Sequence, residues 1–135
     1  MTGFATITEP AISALVTRFY GKARLDPMIG PVFEDAVDDW DQHLSKLCDF
    51  WSSVMLTSGR YKGNPMIAHV KQPIEPEFFE RWLGLWHETA GEVFAPEAAA
   101  QFDFKAQRIA ESLKLALFYR PGQIRATNPG GAATP

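Results

Sequence analysis

Cysteine and clustered positive charge are the two features that this sequence most clearly lacks. Cys48 is the only cysteine of the chain, so no disulfide can form within it. The formal net charge is −3 and no run of Lys or Arg stands out, whereas a surface for nucleic acid or anionic lipid needs clustered basic residues. We therefore expect neither a nucleic acid nor a membrane as a partner.

Targeting signals are also missing from the sequence. The first residues do not combine a basic start with an apolar stretch, as a secretory signal does. No apolar run approaches the ~18 residues that a transmembrane helix needs. These absences predict a cytoplasmic protein. The modest net charge, without an obvious exposed apolar helix, predicts a monomer.

Large aromatic side chains, by contrast, are abundant. The 135 residues include ten Phe, four Trp and three Tyr. Rings in excess of what a core needs can wall a flat apolar ligand, although a bulky core would use them as well. The length predicts one domain, which we assign to residues 1–122. Residues 123–135, rich in small residues with Gly and Pro, predict a disordered tail.

Apolar residues recur at helical spacing in four stretches, and no stretch alternates as a strand does. Residues 1–7 read as a weakly specified lead-in. Residues 29–33 predict a compact apolar turn, and residues 57–65 predict a loop, because Gly and Pro interrupt both. The sequence therefore predicts an all-α fold. The four predicted helices cover about residues 8–26, 38–56, 75–95 and 96–120.

His69 lies in a short segment between two prolines, Pro65 and Pro73. A proline fixes its own φ, removes a donor and pushes the preceding residue out of the helical region. The segment therefore has room for only about one or two helical turns. Such a segment contributes little core, but it can hold one imidazole in a fixed direction.

Three polar side chains fall on the apolar faces of different predicted helices: Tyr20, His43 and Trp82. A zinc site would need three or four ligands at close spacing, and no serine or cysteine has a recognisable base for nucleophilic catalysis. A haem would use one axial imidazole and polar groups on its opposite face. From the spacing alone, however, a cofactor-free helical core remains the simpler interpretation.

The order and spacing of several short stretches resemble the truncated (two-over-two) haemoglobins, and among them the third group. The resemblance covers roughly residues 8–120. The stretches that carry it are Phe19-Tyr20-x-Lys22, Asp26-Pro27, Gly30-Pro31-Val32-Phe33, Trp40-x-x-His43, Phe50-Trp51, Asn64-Pro65-Met66 with His69, Pro73-Ile74, and Phe78-Phe79-Glu80-Arg81-Trp82-Leu83 with Trp86.

The resemblance implies a two-over-two helical sandwich around haem b (iron protoporphyrin IX). It makes His69 the proximal ligand of the iron, and it makes Tyr20, His43 and Trp82 the distal triad that faces a bound gas. The walls that it implies are Phe19, Phe33, Leu47, Phe50, Trp51 and Met66. The residues expected to meet the haem propionates, chosen by charge and position, are Lys46, Arg60, Lys62 and Lys71.

The same resemblance implies a protein that binds O2, NO and CO at an iron with a free coordination position. Two distal donors would slow the release of O2, which suits ligand chemistry or detoxification better than transport. An alternative is a peroxidase-like or nitric oxide/nitrite-converting enzyme that draws electrons from an external reductase. A cofactor-free helical interaction module is the third hypothesis.

Overall fold

The computed structural model describes residues 3–63 and 75–118, and this part of the chain is all-helical, as predicted, apart from one isolated bridge. None of the helices in these ranges is both long and apolar enough to cross a bilayer. The helices are α1 (Glu9–Ala23), α2 (Gly30–Ala36), α3 (Trp40–Leu56), α4 (Pro76–Val93) and α5 (Pro96–Phe118).

Capping side chains start two of the long helices where the sequence predicts them. The Thr8 hydroxyl accepts a hydrogen bond from the Ala11 amide at 3.3 Å, and the Asp39 carboxylate accepts one from Gln42 at 3.2 Å. Each bond satisfies one of the donors that a helix start leaves unpaired. Helices α4 and α5 instead begin with a proline, whose missing N–H is not needed there.

The helices pack as two pairs that cross each other. Helix α1 packs on α3, helix α4 packs on α5, and α1 crosses α4 between the pairs. The apolar face of α1 is buried over its whole length in this sandwich. The buried residues of α1 are Ala11, Ile12, Leu15, Val16, Phe19, Tyr20 and Ala23.

Helix α2 corrects the prediction of a turn at residues 29–33. Pro31 lies in the first turn of this helix, where proline is tolerated. Gly30 is needed for close packing, because a Cβ at this position would lie 2.6 Å from the Arg24 carbonyl oxygen. Gly and Pro therefore mark the start of a short helix here rather than a turn.

The N-terminal lead-in is tied to the end of α4, which the sequence did not indicate. The Phe4 amide donates to the Val93 carbonyl at 2.9 Å, and the Ala95 amide donates to the Phe4 carbonyl at 2.8 Å. Gly3 permits this approach, since a Cβ there would lie 2.4 Å from the Val93 oxygen. The bridge joins two segments that are ninety residues apart, so no local pattern could reveal it.

Helix α4 buries a face that includes one polar residue, Thr89. Leu85 and Thr89 are buried beside Trp86 and Ala90. The Thr89 hydroxyl donates to the Leu85 carbonyl at 2.7 Å, so this polar group is satisfied within the helix. The predicted end of the last helix near Arg120 and the predicted tail at 123–135 lie outside the described residues.

Candidate functional site

The inner face of α3 is much less buried than that of α1. Only Trp51 and Ser52 of this seventeen-residue helix are buried. Its other inward residues pack against the core but stay half-buried, as do three residues near the start of α4. The described residues thus leave a mostly apolar set of side chains on α3 and α4 only partly buried, and we call this set the open surface. Its members are His43, Leu44, Leu47, Phe50 and Val54 of α3 and Phe78, Trp82 and Leu83 of α4.

Tyr20, His43 and Trp82 come together at one end of this surface, from α1, α3 and α4. The rings of Tyr20 and His43 lie edge to face with centroids 6.0 Å apart. The Trp82 indole N–H, which is a donor only, donates to the Tyr20 hydroxyl. The structure therefore brings the three sequence-predicted distal residues into one cluster. His69 lies outside the described residues.

The hydroxyl of Tyr20 stays protonated in this environment. Tyr20 is 5% exposed, and burial raises the pKa of its hydroxyl well above the usual range, although the Trp82 hydrogen bond lowers it in part. Because the oxygen accepts from Trp82, the phenolic proton can still be donated to a third group. The cluster thus offers a directed donor in aromatic surroundings.

The predicted wall residues divide into two sets. Leu47 and Phe50 belong to the open surface, and Phe33, which is also half-buried, lies 5.3 Å from the Tyr20 ring. Phe19 and Trp51 are buried behind the open surface: Phe19 lies 5.0 Å from the Trp86 ring, and Trp51 stacks on Trp86 at 4.5 Å. These two rings support the surface from the core side. Met66 lies outside the described residues.

A cavity of about 280 Å³ lies between α3 and α5, beside Phe50. Its size is close to the lower limit for pockets that bind small molecules. Two basic residues, Lys105 and Arg108, line it, and the sequence analysis missed both. Their spacing with Ile109 and Ser112 on one helical face was the available signal. The lining residues are Phe50, Val54, Lys105, Arg108, Ile109, Ser112 and Leu113.

The basic residues predicted to meet propionates are spread over the surface. Lys46 and Lys62 are exposed. Arg60 lies 3.3 Å from the Glu9 carboxylate, so its charge is partly engaged by α1. Lys71 lies outside the described residues. The described part of the chain therefore does not gather these cations, and Lys105 and Arg108 are additional candidates.

A buried carboxylate, Asp26, pairs with Arg81, the residue that precedes Trp82. The Asp26 carboxylate accepts hydrogen bonds from the amides of Met28 and Ile29 at 3.0 and 3.1 Å, and from the Arg81 guanidinium at 2.6 Å. Burial alone would raise the pKa of Asp26, but these donors lower it overall. The pair therefore ties α4, at the residue before Trp82, to the segment between α1 and α2.

A metal site built only from side chains is not present in the described ranges. No three His, Cys, Asp or Glu side chains cluster there as such a site would require. His87 lies on the surface, where its Nδ1 is 2.6 Å from the Asp103 carboxylate. A haem, however, asks the protein for one axial imidazole, apolar walls and a few polar groups. The open surface and the Tyr20–Trp82 pair fit that demand.

Comparison with known proteins gives one consistent result. The chain is 35% identical over 120 residues to the group 3 truncated haemoglobin of Campylobacter jejuni, a match that covers 85% of this chain and 94% of the relative. A crystal structure of group III truncated haemoglobin from the same organism superposes with a TM-score of 0.82 at 35% identity, covering 87% of this chain and 97% of that one. No model of a protein family matches the chain. By this similarity the chain belongs to the group 3 truncated haemoglobins, which are haem-binding globins.

Proposed function

We propose that this globin binds haem b against the open surface of α3 and α4 and holds O2, NO or CO next to the Tyr20–Trp82 pair. When bound, the haem iron supplies the coordination position for the gas. His69 is the proposed proximal ligand. The observation that carries the proposal is the hydrogen bond from the Trp82 indole to the buried Tyr20 hydroxyl, because it leaves the phenolic proton for the ligand.

Tyr20 and Trp82 act by stabilising the partial negative charge of the ligand. An O2 molecule held in the pocket carries partial negative charge on its outer atom, and an N–H or O–H donor stabilises that charge. In a pocket without water each such bond contributes about 1–3 kcal/mol. The Tyr20 hydroxyl donates to the ligand, and the Trp82 N–H, which donates to the Tyr20 oxygen, holds that hydroxyl in place. This arrangement slows the release of O2, and slow release favours ligand chemistry or detoxification over transport.

The remaining predicted residues have supporting roles in this proposal. His43, edge to face with Tyr20, borders the entry path of the ligand. Phe33, Leu47, Phe50 and Met66 contact the porphyrin, with Phe19 and Trp51 behind them. Lys46, Lys105 and Arg108 are the proposed partners of the propionates. We further propose a cytoplasmic monomer that an external reductase keeps reduced.

A peroxidase-like or nitric oxide/nitrite-converting activity is the second candidate function. Donors that stabilise O2 also polarise an O–O bond, so the Tyr20–Trp82 pair serves either reaction. One observation specifically favours oxidative chemistry: Trp82 stands at the end of a row of oxidisable aromatic rings. Turnover with peroxide, or with nitric oxide and a reductase, distinguishes this candidate from gas binding alone.

Substitution of Tyr20 by Phe tests the proposed function. The variant removes the hydroxyl and keeps the ring, so O2 should dissociate about tenfold faster or more, equal to at least 1.4 kcal/mol. Stopped-flow displacement of O2 by CO from the reduced haem protein measures the rate. The control is the double variant Tyr20→Phe/Trp82→Phe. In it, the changes in O2 dissociation rate caused by the two single substitutions should not add, because the residues are hydrogen-bonded. An unchanged dissociation rate in Tyr20→Phe rejects the donor role.

A further inference from the structure

Three of the four tryptophans form one continuous stack. Trp82 and Trp86, four residues apart on α4, lie nearly parallel at 10° with centroids 5.8 Å apart. Trp86 stacks in turn on Trp51 of α3, at 4.5 Å and 19°. The stack therefore runs from the proposed distal pocket through the centre of the core. Indoles are, with phenols, the side chains that lose an electron most readily, so a row of them is a path for electrons.

Trp86 is placed to pass an electron to the next ring and not to persist as a long-lived radical. It is fully buried, and among the described residues its indole Nε1 has no hydrogen-bond partner. An indole that loses an electron becomes a strong N–H acid, and it is trapped as a neutral radical only if an acceptor takes that proton. With no acceptor near, Trp86 keeps its proton, and its oxidised form is promptly reduced by a neighbouring ring.

Among the described residues, one branch of the stack leads away from the distal cluster to an oxidisable side chain, whereas the branch through Phe19 returns to Tyr20. Phe50 lies 5.6 Å from Trp51, and Tyr61 lies edge to face with Phe50 at 5.2 Å. Tyr61 is half-buried, and its amide donates to the Ser53 hydroxyl at 2.9 Å, which fixes the start of the loop against α3. The other branch from Trp51 passes through Phe102, Phe94 and Phe4, and it reaches no side chain that is readily oxidised.

We propose that Trp82, Trp86, Trp51 and Tyr61 carry oxidising equivalents from the distal pocket to the protein surface when a peroxide reacts there. The proposal rests on the proposed function, because it needs haem in the pocket. Hydrogen peroxide takes up two electrons and two protons, its O–O bond breaks, and two waters form. For each electron that the protein gives, Trp82 is refilled by Trp86, Trp86 by Trp51, and Trp51 by Tyr61.

Tyr61 closes the sequence of electron transfers. It releases its phenolic proton to solvent as it loses an electron. A small one-electron reductant of the phenol or enediol class then returns an electron and a proton to it. The partner of this site is therefore a diffusible reductant, and the path protects Tyr20 and Trp82, which would otherwise be oxidised in place.

The test follows where the oxidised residue appears. The haem-loaded protein is mixed with one equivalent of hydrogen peroxide and a nitroso spin trap, and the adducts are located by mass spectrometry after digestion. Freeze-quench EPR records the tyrosyl signal in parallel. In Trp86→Phe we expect several-fold fewer adducts on Tyr61, a weaker tyrosyl signal and more oxidation of Tyr20 and Trp82. Trp51→Phe interrupts the same path at its next station and should give the same result.

Trp40→Phe is the matched control, because Trp40 lies 6.1 Å from the Tyr20 ring but outside the stack. This variant should label Tyr61 as the unchanged protein does. If either interrupted variant binds haem and still labels Tyr61 at the original level, the path is rejected while the proposed function stands. A chain that takes up no haem at all rejects the proposed function and the path together. Two interrupted variants are used so that poor folding of one leaves the other decisive.

Discussion

Helices α1 and α3 carry similar apolar stripes, yet the structure buries them very differently. The stripe of α1 is buried at every position, against α3 on one side and α4 on the other. Of α3 only Trp51 and Ser52 are buried, and the rings and aliphatic chains near them remain half-buried. One part of the molecule, the packed half, is thus filled by its own side chains, and the other, the α3 half, keeps the open surface that we propose haem covers.

The uncovered apolar surface has an energetic meaning. Apolar area left in water forgoes about 25 cal/mol for each Å², so the chain gives up stability by keeping Leu47, Phe50 and Val54 half-buried. A flat apolar ligand that covers these residues recovers that free energy. Haem binding should therefore stabilise the α3 half specifically, and the packed half should change little.

Phe102→Ala should produce the largest loss of stability. Phe102 is fully buried against Phe94, at 4.7 Å, and Trp51, at 5.9 Å. Removing such a ring from a packed core costs about 3–5 kcal/mol of unfolding free energy. Urea unfolding followed by circular dichroism measures the loss, which should be nearly equal with and without haem.

Phe50→Ala is the matched variant in the other half. The same change of ring to methyl at a half-buried position should cost clearly less in the haem-free protein. With haem present the loss should grow, since a ligand that binds only the folded state adds its binding free energy to stability. Equal losses for Phe50→Ala and Phe102→Ala in the haem-free protein would contradict the division into two halves.

Asp26→Ala should have an intermediate effect on stability, because Asp26 links the segment between α1 and α2 to Arg81 of α4. The variant leaves the amides of Met28 and Ile29 without their acceptor and removes the partner of Arg81, at a cost of about 1–3 kcal/mol. Because Arg81 precedes Trp82, O2 release should also become faster. Asp26→Asn keeps an acceptor and should lose less.

The contribution of the Asp26 charge should depend on pH in a defined direction. The donors around Asp26 hold its pKa below the ordinary value in the folded state. The charge therefore stabilises the protein fully above the unfolded pKa of about 3.9, and this part is lost as pH falls through the lower folded pKa. The stabilities of the unchanged protein and Asp26→Asn should converge in that acid range. A constant difference between them would exclude the charge as the cause.

Arg18→Met should have the smallest effect. Arg18 and Glu92 form a surface ion pair at 2.8 Å between α1 and α4, and exposed pairs contribute about 0–1 kcal/mol. The difference in melting temperature from the unchanged protein should shrink as salt is added, because salt screens exposed charges. A loss of stability as large as that of Asp26→Ala would show that this surface ion pair contributes as much as the buried Asp26 carboxylate.

Much of the fold could be predicted because its signals are local. The period of Ile12, Leu15, Val16 and Phe19 gives the buried face of α1, and Thr8 marks its start. The third and fourth stripes likewise predict α4 and α5. The resemblance to truncated haemoglobins needed more than these stripes: it rests on the order and spacing of the short residue stretches from Phe19-Tyr20 to Trp86.

The parts that could not be predicted depend on contacts between distant residues. Asp26 and Arg81 are fifty-five residues apart, and neither carries a local sign of its partner. The sequence predicts only a weakly specified lead-in, since a backbone-to-backbone bond from Phe4 to Val93 leaves no mark on the side chains. The stack of Trp51 on Trp86 needs the crossing of two helices, which periodicity does not give. How deeply an apolar helix face is buried also depends on the elements that pack against it, which the spacing of its apolar residues does not reveal.

The visible absorption spectrum of the protein after expression with added haem tests the central claim most directly. The account predicts a coloured protein with a Soret band, loss of that band in His69→Gly, and its recovery when free imidazole is added to the variant. A colourless protein, or a Soret band that His69→Gly leaves unchanged, would contradict the claim that an imidazole at position 69 holds haem against the open surface of α3 and α4.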